Sequence, residues 1–447
     1  MATTLSGIDP ERIAATYAER RLAELSDRDL FRACISLLAD PKRQPDSFTL
    51  HAPLEVMARY RLLPLVRDTE RELARMQMLA IAVKYQVGGE SVGRTGGISI
   101  LDPEAAETEL RAAVEAGDVE HADRICTSLA TDYGLRVLLR SVADLALETL
   151  TAATHAHIGL MHLARIYEDA GREGLQLARM GLRAMAQEPG AKVQPVTRHR
   201  ALTNPESDLE SILSKVPSQP PSVRGIRATI EGAEQHGLID DLLGDALLTR
   251  REPEVCRAAS RAVCRVAALS MLCDASEFPA NLATVSAQSA KFIWTHCLTM
   301  PQAAWMLTDF VDDPRFTAEA AHVATTWVIS FRYCYGNGAL QLQPEFETTT
   351  EPPRTDFAVA LAESPRAAAG KAWFSTPEEL PQLRRTLATE SAIRSDAHLV
   401  KYVRACLDAA DQSPADTRLF YAAAAYLCSI WCREESREQI ARTFTST

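Results

Sequence analysis

Histidine is the residue type through which this chain could carry out metal or acid–base chemistry. Neutral imidazole binds iron, zinc and copper, and it also transfers protons near neutral pH. The chain has ten histidines, and six of them fall in four sequence contexts: His51 in HAPLEVMARY; His155, His157 and His162 in THAHIGLMHLARIYE; His296 in THCLTMPQAAWML; and His398 in SDAHLVKYVRACL. A histidine alone is more often a hydrogen-bonded core or surface residue, so the four contexts are weighed together.

The fourth context adds a lysine. His398 and Lys401 are three residues apart, so their side chains lie on one face of a helix. At about 100° per residue this face also holds Ala405 and Asp408, and an apolar stripe of leucine and valine lies opposite. The face with Lys401 is therefore either a solvated surface or, if the helix is covered on both sides, the wall of a polar pocket.

Other common catalytic and binding motifs do not occur. The sequence has no GxSxG, HExxH or EF-hand pattern. The glycine cluster at 88–97 lacks the lysine and hydroxyl residue of a phosphate loop, and it is interpreted as a mobile surface loop. The ten cysteines form no CxxC pair and are predicted to be reduced thiols packed in helices.

Helix-start signals recur along the chain. An N-cap oxygen, a proline and an acidic residue favour a helix N-terminus, and they occur at Asp9-Pro10-Glu11, Asp102-Pro103-Glu104, Thr376-Pro377-Glu378 and Ser413-Pro414. Long Ala/Leu/Glu/Arg runs predict helices over 10–24, 103–116, 135–152, 156–187, 253–272, 396–410 and 414–433. No βαβ alternation appears. The sequence predicts an all-α fold with one large multi-helix domain over 1–447, and with loops at 188–222 and 341–356.

Composition limits the class of protein and its partners. The chain has 447 residues, of which 47% are hydrophobic and 24% charged, and its net charge is −11. This composition is typical of a globular protein, and the acidic balance argues against nucleic acid as a partner. The N-terminus shows no signal peptide, and the longest uncharged stretch, 292–308, is too short to span a membrane. We expect a cytoplasmic protein without a membrane partner.

The order of the histidine contexts resembles the questin oxidase-like family, a group of mostly α-helical proteins tied to aromatic polyketide metabolism. Its motifs are His-x-Pro-Met/Leu, a histidine before a Leu-Ile-His/Arg helix, His-x-Val-Thr, and Asp-x-His-x-Ile/Val-Lys. The matches here are His51-Ala-Pro-Leu, the cluster from His155 to His162, His296-Cys297-Leu298-Thr299, and Asp396-Ala397-His398-Leu399-Val400-Lys401. Each motif is short, so their shared order over 51–410 carries the resemblance.

The resemblance implies a mononuclear non-haem iron site with a lysine carboxylated on its amine. The implied ligands are His51, His157, His296, His398 and Lys401, with His398 and Lys401 also expected to be catalytic. Neutral imidazoles and an anionic oxygen suit Fe(II), and five ligands leave one position for O₂ or substrate. Lysine reacts with CO₂ only as the free amine, so this interpretation requires an environment that disfavours charged Lys401.

The motifs leave open which histidine of the second context is the metal ligand. If Leu160-Met161-His162 matches the Leu-Ile-His motif, Ile158 stands where the ligand is expected. A one-residue gap restores His157, and His155 is the other alternative. Asp396 is interpreted as an N-cap or as a residue that orients His398.

The function implied by the resemblance is an oxygen-dependent oxidoreductase. It would cleave a polycyclic aromatic ketone or quinone oxidatively, or oxygenate it in a Baeyer–Villiger-type reaction, with a small aromatic substrate and O₂ as partners. Family members are also linked with NADPH, but no nucleotide motif occurs here. The alternatives are a helical scaffold or ligand-binding protein with a degenerate site, and a zinc or iron hydrolase that uses the same histidines.

Overall fold

The described residues form helices joined by turns. The computed structural model describes residues 5, 7–44, 47–85, 90–93, 95–99, 102–193, 202–217, 226–235, 237–242, 252–273, 287–336, 338–342 and 356–445. Within these ranges the only β-pairings are two isolated antiparallel bridges, Lys42 with Ser91 and Thr149 with Lys192, and no sheet forms. The prediction of an all-α fold is confirmed.

The chain divides into two compact units. Unit 1 consists of Met1–Lys192, Ala392–Ala397 and Arg437–Thr447, and unit 2 of Val193–Ser391 and His398–Ser436. Both units therefore draw on separated parts of the sequence. The prediction of one domain over 1–447 stays a prediction.

Unit 1 is built around three helices that pack on one another, α3, α9 and α10. In chain order its helices are α1 (Ile13–Glu19), α2 (Asp27–Leu38), α3 (Ser47–Leu62), α4 (Asp68–Lys84), α5 (Pro103–Glu115), α6 (Val119–Tyr133), α7 (Leu135–Ser141), α8 (Ala143–Glu148), α9 (His155–Ala170) and α10 (Glu173–Gln187). A further C-terminal helix, Arg437–Thr445, contacts α1. Two of the four histidine contexts lie on α3 and α9.

Unit 2 contains the longest helices. In chain order the helices of unit 2 are α11 (Pro205–Ser214), α12 (Ile226–Gln235), α13 (Leu238–Leu242), α14 (Pro253–Cys273), α15 (Ala287–Val311), α16 (Pro314–Tyr335), α17 (Phe357–Glu363), α18 (Pro365–Trp373), α19 (Leu380–Ala392), α20 (Ala397–Gln412) and α21 (Thr417–Glu434). The last residue of α19 and the first of α20 belong to the 392–397 segment of unit 1. The remaining two histidine contexts lie on α15 and α20.

The predicted caps act at two of the four positions. Asp102 accepts hydrogen bonds from the backbone N–H groups of Glu104 and Ala105, and Asp9 accepts one from Glu11. After Thr376-Pro377 the chain makes a turn, and α19 begins only at Leu380. Ser413 bonds to Asp416 rather than to the backbone. Local capping chemistry therefore predicts helix starts to within a few residues.

Two predicted helices are interrupted, and one predicted loop contains a helix. The run 156–187 breaks at Gly171, whose φ of 59° ends α9, and 135–152 divides into two helices and a 3₁₀ turn. Within 188–222 the helix α11 forms, because Asn204-Pro205-Glu206 repeats the start signal. The prediction of a continuous loop there is wrong. Most of 341–356 lies outside the described residues.

The glycine-rich segment is anchored where the structure describes it. The Gly93 carbonyl accepts a hydrogen bond from buried Arg179 at 3.0 Å, and the Ile98 N–H donates to the Ser128 hydroxyl at 2.6 Å. The prediction of a surface loop is confirmed for 90–93 and 95–99, and its mobility stays a prediction. The glycines at 88 and 89 lie outside the described residues.

None of the helices in the described ranges has the length and apolar character needed to cross a membrane.

Candidate functional site

The helix that carries His398 and Lys401 is covered on both sides. From Ala397 to Ala410 every residue of α20 is buried except His398, which is partly exposed. Lys401 is 3% exposed, and so is Asp408 about two turns further on. A solvated face is thereby excluded for this helix, and a polar pocket against the face with Lys401 stays a prediction.

The structure brings two of the predicted ligands together in unit 2. The ring centroids of His296 and His398 are 5.3 Å apart, with the ring planes tilted by 59°. His296 lies on α15 five residues before Pro301, which cannot donate a backbone hydrogen bond within the helix. His398 lies in the first turn of α20, three residues before Lys401. Two imidazoles and a buried lysine thus belong to one compact unit.

The core behind this pair holds neutral titratable groups. Burial is the main cause that raises the pKa of the Tyr402 hydroxyl well above its usual value, and it does the same for the Cys406 thiol. Cys297, next to His296, is also fully buried. The Arg404 guanidinium contacts the Asp408 carboxylate on the next turn of α20.

Unit 1 brings together a second pair of histidines. The rings of His51 on α3 and His155 on α9 meet edge to face, with centroids 4.9 Å apart and planes at 90°. His155 is the first residue of α9 and is buried. The preceding residue, Thr154, has the left-handed conformation (φ 63°, ψ 15°) and is fully buried. Such a backbone is rare for a β-branched residue, so the tertiary structure holds His155 in place at some cost.

The alternatives for the second histidine occupy different surroundings. His157 is fully buried on α9. The Nδ1 atom of His162 lies 3.1 Å from the guanidinium of Arg61, and a fixed positive charge there opposes a metal cation. The geometry therefore favours His155, which touches His51, and disfavours His162. The assignment of His157 stays a prediction.

A buried ion pair on α3 was missed by the sequence analysis. Arg59 is fully buried and donates to the Glu55 carboxylate at 2.6 Å. It also donates to the backbone carbonyls of Ala392 and Arg394, at 2.6 and 2.7 Å. Arg59 thereby ties segment 392–397 to α3 within unit 1. The spacing Glu55/Arg59 is an ordinary i,i+4 pair, and nothing in the sequence indicates that it is buried.

An apolar pocket in unit 1 was also missed. Its cavity volume is about 40 Å³, and α3, α9 and α10 supply most of its walls. Its described lining includes Leu50 and Met57 of α3, Gly159 and Leu163 of α9, and Gly181 and Met185 of α10, with His155 at one side. The residues come from three separate stretches of sequence, so no motif could reveal the pocket.

The donor types in unit 2 fit the iron that the resemblance implies. His296 and His398 offer two neutral nitrogens, and a carboxylated Lys401 would add an anionic oxygen, the combination found in non-haem iron sites. Among the described residues, no group of three or more His, Cys, Asp or Glu side chains has the arrangement of a metal site. Lys401 would act as a ligand beside these two histidines only once CO₂ has modified it.

Comparisons of this chain with protein-family models, with curated proteins and with solved structures found no match. The resemblance to the questin oxidase-like family thus remains an interpretation of the motifs and their order.

Proposed function

We propose that this chain is an oxygen-dependent oxidoreductase of the questin oxidase-like type. It acts on a polycyclic aromatic ketone or quinone, by oxidative cleavage or Baeyer–Villiger-type oxygenation. The observation that carries the proposal is the burial of Lys401 on a fully covered helix, one turn from a histidine that touches His296. Lys401 thus lies in the interior of unit 2, where the resemblance requires the carboxylated lysine to be.

The proposed roles follow from donor chemistry. His296 and His398 hold the metal through neutral nitrogens, and Lys401 contributes an oxygen as the carbamate. Carbamate formation joins the lysine nitrogen to the carbon of CO₂ and releases one proton from the amine. Iron bound by these residues supplies the capacity to activate O₂. His51 and the histidines of α9 stay predicted ligands.

Iron content tests the proposal first. The full chain is reconstituted with Fe(II) without oxygen, and metal per chain is measured by mass spectrometry. We expect one iron per chain in the wild type, and a loss of most of it in His398→Ala, because one nitrogen ligand is removed. The matched control is His121→Ala, since His121 lies at the surface beside Glu109. Equal iron in all three proteins would contradict the proposal.

The lysine is tested separately. Wild-type chain prepared without CO₂ is expected to regain iron binding when bicarbonate is added, whereas Lys401→Ala is not. Carbon-13 bicarbonate should give a carbamate signal in the NMR spectrum of the wild type alone. Lys371→Ala is the control, because Lys371 pairs with Glu379 away from the core. Full iron and turnover in Lys401→Ala would rule out the carbamate.

Oxygen consumption separates the proposed function from its alternatives. With a panel of hydroxylated anthraquinones, the reconstituted wild type is expected to consume O₂. A chain that binds metal and hydrolyses ester or amide substrates without O₂ uptake would be a hydrolase. A chain that binds no metal would be a scaffold or ligand-binding protein.

A further inference from the structure

Arg59 of α3 holds the segment from which α20 begins. Its Nη1 atom donates to the backbone carbonyl of Ala392 at 2.6 Å, and its Nη2 atom donates to that of Arg394 at 2.7 Å. Ala392 is the last residue of α19, and the last carbonyls of a helix have no partner within that helix. Arg394 lies four residues before His398. One guanidinium therefore fixes both the end of α19 and the chain that leads into α20.

The guanidinium is itself fixed by Glu55, one turn earlier on α3. The Oε1 atom of Glu55 accepts hydrogen bonds from Nε of Arg59 at 2.9 Å and from Nη2 at 2.6 Å. The side chains of Arg59 and Glu55 are 0% and 2% exposed, so solvent does not screen the pair. The planar fork of five N–H donors lets arginine bond a carboxylate and two carbonyls at the same time.

The first turn of α20 depends on this connection. Four non-helical residues, 393–396, join α19 to α20. His398 is the second residue of α20, and Lys401 follows three residues later. Because so few residues lie between the two helices, a shift of the connection is passed directly to the turn that carries His398.

We infer that Glu55 and Arg59 are a positioning pair, which fixes the first turn of α20 and with it His398 and Lys401. The inference rests on the proposed function in that it takes these two residues as iron ligands. A buried ion pair that served stability alone could often be replaced by well-packed apolar residues of similar volume at little cost. A positioning pair could not, because apolar side chains donate no hydrogen bonds to the carbonyls of residues 392 and 394.

The experiment compares the double variant Glu55→Leu/Arg59→Met with the wild type, both as full chains reconstituted with Fe(II). The double variant removes both charges together, so neither is left buried alone. We expect its dissociation constant for iron to be at least tenfold higher, with helix content by circular dichroism unchanged. Arg59→Lys keeps the charge without the fork, so it should lose less affinity, and it replaces the double variant if that protein fails to fold. Unchanged iron affinity in the folded variant would overturn the inference.

Two controls separate positioning from a loss of stability. Arg32→Met removes an arginine that donates to two backbone carbonyls at the end of α9, those of Asp169 and Glu168. Asp123→Asn breaks a buried ion pair elsewhere in unit 1. Both should bind iron within twofold of the wild type. A tenfold loss of affinity in either control as well would indicate a general effect of stability and would count against a positioning role.

A measurement without metal distinguishes a failure of this inference from a failure of the proposed function. In the iron-free chain, amide hydrogen exchange over 393–400 should be at least tenfold faster in the double variant than in the wild type, and exchange over 404–410, further along α20, should be unchanged. If the wild type binds no iron, the proposed function fails, and the exchange rates still decide whether Arg59 fixes the first turn of α20. Unchanged exchange over 393–400 would overturn the inference in either case.

Discussion

Asp123 on α6 is the buried residue on which the anchoring of the glycine-rich segment depends. Its carboxylate accepts hydrogen bonds from Arg179 at 2.6 and 2.9 Å and from Arg183 at 2.8 Å, and all three side chains are almost fully buried. Burial by itself raises the pKa of Asp123, but the hydrogen bonds and charges of the two arginines outweigh it, so the net pKa is lowered. Asp123, Arg179 and Arg183 are scattered in the sequence. Their buried ion pairs link α6 to α10 in unit 1.

Removal of this carboxylate charge should be costly. Asp123→Asn removes the counter-charge of buried Arg179 and leaves Arg183 with the exposed Glu120, and we expect the free energy of unfolding to fall by about 3–5 kcal/mol. Asp411→Asn is the control, because its pair with Arg384 is partly exposed and should contribute at most about 1 kcal/mol. Urea unfolding monitored by circular dichroism gives both values. Similar losses in the two variants would contradict the assignment.

The same residue predicts a pH dependence. A lowered pKa in the folded state stabilises the protein above the unfolded value, about 3.9 for aspartate, and this contribution is lost as the pH falls through the folded value. The difference in unfolding free energy between wild type and Asp123→Asn should be constant above about pH 5 and should shrink below pH 4. Urea titrations between pH 3 and pH 7 measure it. A difference that grows on acidification would show that the sign is wrong.

At the scale of elements, α10 contains two glycines with opposite surroundings. A Cβ atom at Gly181 would meet nothing within 4 Å, whereas one at Gly174 would lie 2.4 Å from a methyl group of Leu135 on α7. The sequence shows both simply as glycines in a helical run. Only the packing of α7 against the start of α10 distinguishes them.

This difference predicts two outcomes on one helix. Gly181→Ala should raise the free energy of unfolding by about 0.5–1 kcal/mol, because alanine favours the helix and the added methyl group has space. Gly174→Ala should gain nothing, since Leu135 has to move to accommodate the methyl group. Thermal or urea unfolding of the two variants makes the comparison. A larger gain at Gly174 would contradict the packing described for α7 and α10.

At the scale of the whole molecule, cysteine burial is a direct measure of the described packing. Eight of the ten cysteines are buried, the exceptions being Cys273 and Cys432, and all ten lie in helices. The prediction of cysteines packed in helices is therefore confirmed, and their reduced state stays a prediction. Burial also raises the pKa of the Cys34, Cys126 and Cys264 thiols well above the usual value, which lowers their reactivity further.

Thiol labelling with Ellman's reagent tests this arrangement. In the native protein we expect at most two thiols to react rapidly, those of Cys273 and Cys432, and all ten to react in urea. Mass spectrometry of labelled peptides identifies the positions. Rapid labelling of Cys126 or Cys264 in the native state would show that the cores of the two units are not packed as described.

Residue periodicity and capping signals determined the all-α fold and several helix starts, because these depend on neighbours within about four positions. The Asp102 cap and the run over 253–272 show this most directly. The start signal at Asn204-Pro205 had the same chemistry, but the polar composition around it favoured a loop. Helix geometry also placed His398 and Lys401 on one face, yet it left open whether that face was solvated.

Tertiary structure decided the rest. His296 touches His398, and His51 touches His155, across more than a hundred positions of sequence. The cover over Lys401, the choice among the histidines of α9 and the apolar pocket all depend on which helices pack together. Burial of a side chain is the sum of contacts from distant segments, and a local pattern contains no information on those partners. Residue type and spacing therefore indicated metal or acid–base chemistry. Only the packing of the helices determined which of these side chains are buried and which lie in contact.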